Sequence, residues 1–352
     1  MAPLSAGAPA PAVDLLADAA WWCGSSPAAA VPDVTALPDA DVQWLPAIVP
    51  GTAAAAVRAA HGRQAALRRD YDSEDWWFRT RLPCGAPAGS TLILPGLATV
   101  ADVYCDGALI ATTRSMFTEV AVALGEAAPG SWLVLRCRAL AAELAVRRPR
   151  GRWRSSLVSQ QGLRWQRTTL LGRAEVFTGC AAPVGPWRGV RLWGPDGLRV
   201  TESALQATVD GATGVLRVSA RIAGPPGAGG DSRPAQVMVG DVCCPVDLRA
   251  DGAHSVLSAT LQLPGVPRWW PRGYGAQTLH RVILEVAGCA IDLGVVGFRT
   301  VAADRAGGGF TLSVNGTEVF CRGAVWSPLD PVGFTADPRA PAPSSPGSPR
   351  PG

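Results

Sequence analysis

Residues 100–113 read VADVYCDGALIATT, and this stretch decides the fold class. Two runs rich in β-branched and apolar residues flank Asp106-Gly107, a pair that accepts the positive φ angles of a tight two-residue hairpin. Residues 310–323, FTLSVNGTEVFCRG, repeat the pattern around Asn315-Gly316. Both stretches therefore predict antiparallel β-hairpins.

Most of the remaining chain has the same period of two, with turn residues between short apolar runs. Two Ala-rich stretches, residues 13–20 and 53–67, are the exceptions and are each expected to form a short helix. Further strands are expected in residues 90–97, 131–140, 189–194, 197–210, 214–222, 235–248, 255–263, 278–288 and 290–301. The sequence predicts a mainly β protein.

The composition favours a soluble, cytoplasmic protein. Apolar residues make up 48% and charged residues 17% of 352, and no apolar run reaches the roughly 20 residues that a membrane span needs. The N-terminus has neither the basic region nor the continuous apolar region of a secretory signal. The net charge of +4 comes from Arg alone, because the sequence contains no Lys, so the charge is a weak argument for a nucleic-acid partner.

The cysteine pattern gives no indication of a metal site or a cofactor. Nine Cys are spread along the chain without a C-x-x-C pair, and there are only three His. Metal ligands would be expected at closer and more regular spacing. We expect the cysteines to be buried, reduced thiols that act as small apolar side chains, with no metal and no cofactor.

Seven segments together resemble a known family more specifically than any one of them alone. They occur in the order VPGT (49–52), DSEDWWFRTRL (72–82), residues 92–119, PVGPWRGVRLWG (183–194), residues 268–286, LGVVGFRTV (293–301) and residues 310–330. In order and character they resemble the N-terminal half of glycoside hydrolase family 2, of the β-mannosidase type. The resemblance extends over residues 21–330.

The resemblance implies two consecutive β-sandwiches, the first a jelly-roll, galactose-binding-like domain and the second immunoglobulin-like, followed by the beginning of a truncated (β/α)8 barrel. The expected divisions are a poorly ordered segment at 1–20, the jelly-roll domain at 21–196, the immunoglobulin-like sandwich at 197–302, a hairpin with the first barrel strand at 303–334, and a disordered Pro-rich tail at 335–352.

The same resemblance implies that the chain lacks catalysis. In the family, two Glu residues of the barrel serve as acid/base and nucleophile of a retaining glycosidase, and the 50 residues after Ala302 are far fewer than the roughly 250 of a barrel. We therefore expect no catalytic residue here and a β-glycoside as the substrate of the full-length relative. A surface with Phe310, Leu312, Phe320 and Trp326 would be left uncovered, so self-association is expected.

The candidate carbohydrate-contact residues are Arg164, Trp165, Trp187 and Trp326. Arg164-Trp165-Gln166 stands where the family often carries an aromatic-Asp-aromatic segment, without the Asp. Val325 likewise replaces the Asn that precedes the family's Trp in the first barrel strand. Both departures argue for weak sugar binding or none.

Two other function classes stay open on the residues alone. A jelly roll with exposed Trp could be an independent carbohydrate-binding module. Residues 147–173 carry eight Arg with Trp153 and Trp165 and no acid, a composition that could bind nucleic acid, although Arg paired with distant carboxylates is the more ordinary interpretation. No nucleic-acid or membrane partner is expected. Glu74 and Asp75 are sequence neighbours on a strand, so they would point to opposite faces and cannot form a catalytic pair.

Overall fold

The computed structural model describes residues 13–149, 151–174, 176, 179–224, 234–252, 254–323 and 328–334. These residues fall into two compact units. The N-terminal unit holds residues 14–193 and 328–334, and the second unit holds residues 194–323. The two units are described separately.

The N-terminal unit is a β-sandwich. Its strands are β1 (Trp21–Pro27), β2 (Leu45–Ala47), β3 (Glu74–Arg81), β4 (Thr91–Leu94), β5 (Ala101–Cys105), β6 (Ala108–Thr113), β7 (Val120–Ala123), β8 (Trp132–Cys137) and β9 (Arg191–Trp193). One antiparallel sheet has the order β2-β1-β3-β8-β5-β6, and the other has the order β7-β4-β9. The hairpin at Asp106-Gly107 is confirmed, because β5 pairs with β6 and both turn residues have positive φ.

Strand β3 explains why this sheet is buried on both faces. Trp76 and Phe78 pack into the core between the two sheets, whereas Trp77, which points the other way, joins a smaller cluster outside the larger sheet. All three side chains are at most 1% exposed. Val34 and Leu37 from the chain segment before β2 cover that outer face. Consecutive aromatic residues therefore identify a strand that lies between two apolar layers.

Two helices belong to the N-terminal unit, α1 (Ala53–Arg68) and α2 (Leu140–Ala145). Helix α1 confirms the helix expected at 53–67, and the hydroxyl of Thr52 accepts a hydrogen bond from the N–H of Ala55 at its start. The helix expected at 13–20 is wrong: Asp14 pairs with Trp193 instead, and Leu16 is buried. The segment expected to be poorly ordered, residues 1–20, therefore includes residues that pack on the N-terminal unit.

Residues 328–334 pack on the rest of the N-terminal unit through an ion pair, hydrogen bonds and a buried side chain. Asp330 forms a two-bond ion pair with Arg58 at 2.7 and 2.8 Å. The carbonyl of Val332 accepts a hydrogen bond from Thr52 Oγ1 at 2.7 Å, and the Val332 side chain is 1% exposed. Burial alone would raise the pKa of Asp330, but hydrogen bonds from Arg58, Gly333 and Val332 outweigh it and hold the pKa below its ordinary value.

We expect this docking to weaken in acid. Because the folded-state pKa of Asp330 is lowered, the stability it contributes is present above the ordinary carboxyl pKa of about 4 and is lost as the pH falls through the folded value. Hydrogen exchange of residues 330–334 between pH 5 and 3 measures this. Arg58→Leu should reduce the pH dependence, because the backbone hydrogen bonds from Gly333 and Val332 remain, and should cost at most about 1 kcal/mol, because the pair is partly exposed. Asp39→Asn is the control, and an unchanged dependence in Arg58→Leu would contradict the assignment.

The second unit is an immunoglobulin-like sandwich. Its strands are β10 (Arg199–Asp210), β11 (Thr213–Ala223), β12 (Ala235–Val239), β13 (Val242–Val246), β14 (Arg249–Asp251), β15 (His254–Pro264), β16 (His280–Val286), β17 (Cys289–Val296), β18 (Val301–Asp304), β19 (Thr311–Val314) and β20 (Thr317–Val319). The sheet β10-β11-β15-β14 packs on the sheet β13-β12-β16-β17. This order matches strands A-B-E-D facing C′-C-F-G of an immunoglobulin domain.

A separate three-stranded sheet, β18-β19-β20, follows the second sandwich. It confirms the hairpin at Asn315-Gly316. Phe310 and Phe320 are 64% and 78% exposed, whereas Leu312 is half-buried. Residues 321–323 and 328–334 form no strand, and 324–327 lie outside the described residues, so the predicted barrel strand is not among the described elements. The expected self-association and the Pro-rich tail at 335–352 stay predictions, the latter outside the described residues.

The cysteines are free thiols, but the expectation that all are buried is wrong. Cys84, Cys243 and Cys321 are exposed, and only Cys23, Cys137 and Cys289 are fully buried. Burial raises the pKa of Cys137 to about 12, so this thiol stays protonated. Within the described residues, no group of three or more His, Cys, Asp or Glu could hold a metal ion. No helix in that same part of the chain is long and apolar enough to cross a membrane.

Candidate functional site

Three loops of the N-terminal unit meet around Met116, which is 2% exposed. The Met116 N–H donates to the carbonyl of Arg167 at 3.0 Å, and the Met116 carbonyl accepts a hydrogen bond from Trp187 Nε1 at 2.9 Å. The N–H of Thr169 donates to the Met116 sulfur at 3.1 Å. One buried residue therefore ties together the loops that carry two of the predicted contact residues, Trp165 and Trp187.

Close backbone packing fixes the Trp187 loop. Ala98 and Gly185 exchange two backbone hydrogen bonds of 3.0 and 3.1 Å. A Cβ added at Gly96 would lie 2.9 Å from Trp187 Nε1 and 2.6 Å from the Met116 carbonyl. The indole can reach its acceptor only because position 96 has no side chain.

A buried ion pair anchors the loop that follows Trp165. Arg173, whose side chain is 3% exposed, pairs with both oxygens of Asp72 at 2.6 and 2.7 Å. Arg173 also donates to Thr168 Oγ1 at 3.1 Å, and Thr168 shares a 2.7 Å hydrogen bond with Thr99. Charge-assisted bidentate bonds of this kind fix geometry as well as adding energy.

Trp153 and Trp165 line a pocket of about 200 Å³ together with Gln161 and Arg164. The two indoles are 63% and 46% exposed. Exposed indoles beside a pocket can stack on the apolar face of a sugar ring or on another flat ligand. The aromatic surfaces are therefore the part of this pocket that is available to a ligand.

Arg164 holds the pocket together rather than facing a ligand with free donors. Its guanidinium donates to Gln161 Oε1 at 2.6 Å and to the carbonyls of Trp153 and Gln161 at 2.7 and 3.0 Å. Its Cζ atom also lies 4.4 Å from the centroid of the Trp153 ring. Because these contacts use its main donors, Arg164 positions Trp153 in this conformation.

The structure brings two of the four predicted contact residues into one pocket. Arg164 and Trp165 both line it. Trp187 does not, and lies instead against Phe117 with ring centroids 6.4 Å apart, and under the guanidinium of Arg188 at 4.5 Å. Trp326 lies outside the described residues.

Sequence reasoning did not identify Trp153 and Gln161 as pocket residues, nor Met116 as the link between the loops. In the sequence, Trp153 is only one member of the Arg-rich stretch. It lies 11 residues from Arg164, and in a loop no helix or strand period predicts that residues at this separation are in contact. Gln161 and Met116 carry no motif, because their partners come from other parts of the chain. Only the tertiary fold identifies them.

A second cavity of about 430 Å³ contains two carboxylates, Asp70 and Asp72, beside Tyr71, Arg173 and Cys180. Asp72 is neutralised by Arg173, as described above. Burial raises the pKa of both the Tyr71 hydroxyl and the Cys180 thiol, so neither is an activated base or nucleophile. This cavity lacks the features of a hydrolytic site.

Comparison with known proteins agrees with the fold and with the motifs. The family model described as "Glycosyl hydrolase 2 galactose-binding domain-like" matches residues 34–161. A β-mannosidase B of Aspergillus terreus is 29% identical over 294 residues, which cover 74% of this chain and 33% of that protein. These matches support a β-mannosidase-type N-terminal region of glycoside hydrolase family 2 in this chain. The family-model match includes β3, the Asp106-Gly107 hairpin and Trp153, but ends before Arg164 and Trp165.

Solved structures share the fold of this β-mannosidase-type region. A β-D-mannosidase from Dictyoglomus thermophilum superposes with a TM-score of 0.69 at 17% identity, covering 91% of this chain and 40% of that one. An exo-chitosanase from Amycolatopsis orientalis gives a TM-score of 0.60 at 18% identity, with 93% and 38% coverage. The chain spans about a third of the length of the A. terreus relative. The predicted truncation stays a prediction.

Proposed function

We propose that the described chain is a non-catalytic part of a β-mannosidase-like glycoside hydrolase, which supplies structural support and, at the Trp153/Trp165 pocket, a weak sugar contact. The observation that carries the proposal is that arginines pair with the buried and half-buried carboxylates described in the N-terminal unit, except Asp14, which accepts hydrogen bonds from backbone N–H groups. The pairs are Arg58–Asp330, Arg69–Glu74, Arg114–Glu143, Arg136–Asp75, Arg138–Asp102 and Arg173–Asp72.

A glycosidase needs the opposite arrangement of carboxyl groups. A retaining enzyme has one protonated and one ionised carboxyl about 5 to 5.5 Å apart, and the protonated one has a raised pKa. Where a direction is resolved for a carboxyl in this chain, at Asp33, Asp292 and Asp330, the pKa is lowered by hydrogen bonds. Both oxygens of Asp72 accept hydrogen bonds from Arg173. These carboxyl groups stabilise the fold rather than acting as general acids.

The relatives support a proposal for the substrate class of the whole protein. The matched fungal proteins are described as β-mannosidase B. We therefore propose that the whole protein hydrolyses β-mannosides or closely related β-glycosides, and that the groups reacting with the substrate are not among the residues described here.

We expect the purified 352-residue chain to show no glycosidase turnover. Aryl β-mannoside, β-galactoside and β-glucuronide are the substrates, and released chromophore is the readout. The physical reason is that Asp72, Asp75 and Asp102 are each paired with an arginine rather than with a second carboxyl group. An active β-mannosidase serves as the positive control. Turnover by the wild-type chain above the no-protein rate, if it disappears in Asp72→Asn, would overturn the proposal.

The Trp153/Trp165 pocket supports sugar binding as a second candidate function. One or two indole faces with few free hydrogen-bond donors offset only part of the cost of association, so the Kd for mannobiose should be about 1 mM or weaker. Trp165→Ala should weaken binding at least tenfold in a titration followed by NMR. Trp22→Ala is the matched control, because Trp22 is similarly exposed, at 41%, and does not line the pocket. Micromolar binding lost in Trp165→Ala would make the chain a true lectin.

The nucleic-acid alternative has no support beyond the composition of residues 147–173. Arg173 is buried against Asp72, and Arg164 is bonded within its own loop. Two of the eight arginines therefore have their principal donors engaged within the protein. Cytoplasmic location and self-association stay proposals for this chain.

A further inference from the structure

The outer face of the six-stranded sheet carries an arginine whose charge is not matched by a carboxylate. Arg79 lies on β3 and contacts two indoles, with its Cζ atom 3.7 Å from the Trp44 ring centroid and 5.0 Å from that of Trp132. Its Nε atom is buried and has no hydrogen-bond partner. Among the described residues, no acid forms an ion pair with this guanidinium.

This arrangement differs from the arginine–carboxylate pairs of the same unit. The arginines of those pairs each have a carboxylate oxygen within 3 Å. Arg79 instead has Arg81 as its charged neighbour, and burial together with Arg81 lowers the pKa of Arg79. Cation–π contacts with Trp44 and Trp132 offset part of the lost hydration, but they satisfy no N–H donor. The guanidinium is preorganised and lacks an anion.

A pocket of about 430 Å³ opens beside Arg79. Leu37, Pro38 and Trp132 form apolar parts of its wall. Asp106 also lines it, and one oxygen of its carboxylate accepts a hydrogen bond from the backbone N–H of Trp132 at 2.7 Å. A pocket with an apolar wall and one fixed cation has the general composition of a small-molecule site.

We propose that this pocket binds a small carboxylate with an apolar body, the carboxylate pairing with Arg79 and the apolar body packing on Leu37, Pro38 and Trp132. A carboxylate is planar and can lie in the plane of the guanidinium beside the two indoles, whereas a tetrahedral phosphate would direct oxygens toward the rings. The negative charge of Asp106 also disfavours a dianion. A neutral sugar would leave the charge of Arg79 unmatched. The site is independent of glycoside hydrolysis.

The test uses benzoate as the probe on the intact chain, with the tryptophan indole N–H signals followed by NMR. We expect saturable shifts of two indole signals with a Kd on the order of 1 mM, a value typical of one charge-assisted contact plus a small apolar ring. Benzyl alcohol, which has the ring without the charge, should bind at least tenfold more weakly. Phenyl phosphate should also bind more weakly than benzoate.

Two variants locate the site. Arg79→Met should weaken benzoate binding at least tenfold, because it keeps the apolar contact with the indoles and removes the charge. Arg81→Met is the matched control: Arg81 contacts the same Trp132 ring at 4.2 Å but does not line the pocket, so benzoate binding should change less than threefold.

The wild-type comparison keeps the proposal testable even if Arg79→Met does not fold. Equal binding of benzoate and benzyl alcohol would overturn it, and so would tighter binding of phenyl phosphate than of benzoate. Binding that does not saturate at a benzoate concentration 20-fold above the expected Kd of about 1 mM would also overturn it. Shifts of the same two indole signals by methyl β-mannoside but not by benzoate would assign the pocket to sugars and would also overturn it.

Discussion

Asp75→Asn should destabilise the N-terminal unit by about 3 to 5 kcal/mol, the loss expected when one partner of a buried ion pair is removed. Asp75 accepts hydrogen bonds from Arg136 at 2.6 and 3.2 Å, and both side chains are less than 10% exposed. The substitution keeps the side-chain volume but leaves the Arg136 guanidinium buried without a counter-charge. The cost is therefore electrostatic rather than steric.

The effect should spread to the segment that covers the outer face of the sheet. Asp75 also accepts from the backbone N–H groups of Ala29 and Ala139 at 3.1 and 2.7 Å, and Arg136 donates to the carbonyl of Pro32 at 2.7 Å. Hydrogen exchange should therefore increase at Ala29 and Ala139 before it does in the sheet core. This pattern would identify the ion pair as the attachment of the covering segment.

Urea unfolding followed by circular dichroism measures the loss, with Asp39→Asn as the control, because Asp39 is an exposed acid of the same unit. The double variant Asp75→Asn/Arg136→Met should lose less than the sum of the two single variants, since removing both charges leaves neither unpaired. A loss below about 1 kcal/mol in Asp75→Asn would show that the pair contributes little to stability.

The sequence predicted those parts of the fold that depend on neighbouring residues. Asp106-Gly107 and Asn315-Gly316 form hairpins because their positive φ angles are a local property of the pair. Trp76-Trp77-Phe78 is buried because a strand with large aromatics on both faces can only lie between two apolar layers. The helix expected at 13–20 failed because local Ala and Leu content could not reveal the pairing of Asp14 with Trp193.

The candidate site was only partly predictable, because its contacts join residues far apart in sequence. Arg164 and Trp165 were identified through a resemblance, but the donors of Arg164 are used by Trp153 and Gln161, which changes its role from ligand contact to positioning. Arg173 reaches Asp72 across 101 residues. The sequence indicated only that Arg79 alternates with apolar residues on a strand; its contacts with Trp44 and Trp132 and its unpartnered Nε are seen only in the tertiary fold.

Gly185→Ala should destabilise the N-terminal unit by about 3 kcal/mol, because the backbone strain of a positive φ and the steric clash of the added Cβ add at this position. Gly185 has a φ of +122°, and a Cβ there would lie 2.6 Å from Cζ of Phe78, a core ring that is fully buried. Phe78 cannot move without disturbing the packing between the two sheets, so the loop carrying Trp187 must shift instead.

Gly107→Ala separates the two costs, because Gly107 also has a positive φ, +84°, but an added Cβ would have no atom within 4 Å. It should lose only about 1 kcal/mol, the cost of backbone strain alone. The indole N–H signal of Trp187 should shift in Gly185→Ala and not in Gly107→Ala, because only the first displaces the loop that bonds to Met116. Equal losses in both variants would mean that the close approach to Phe78 contributes nothing, and that the Trp187 loop is held by its hydrogen bonds with Ala98 and Met116 alone.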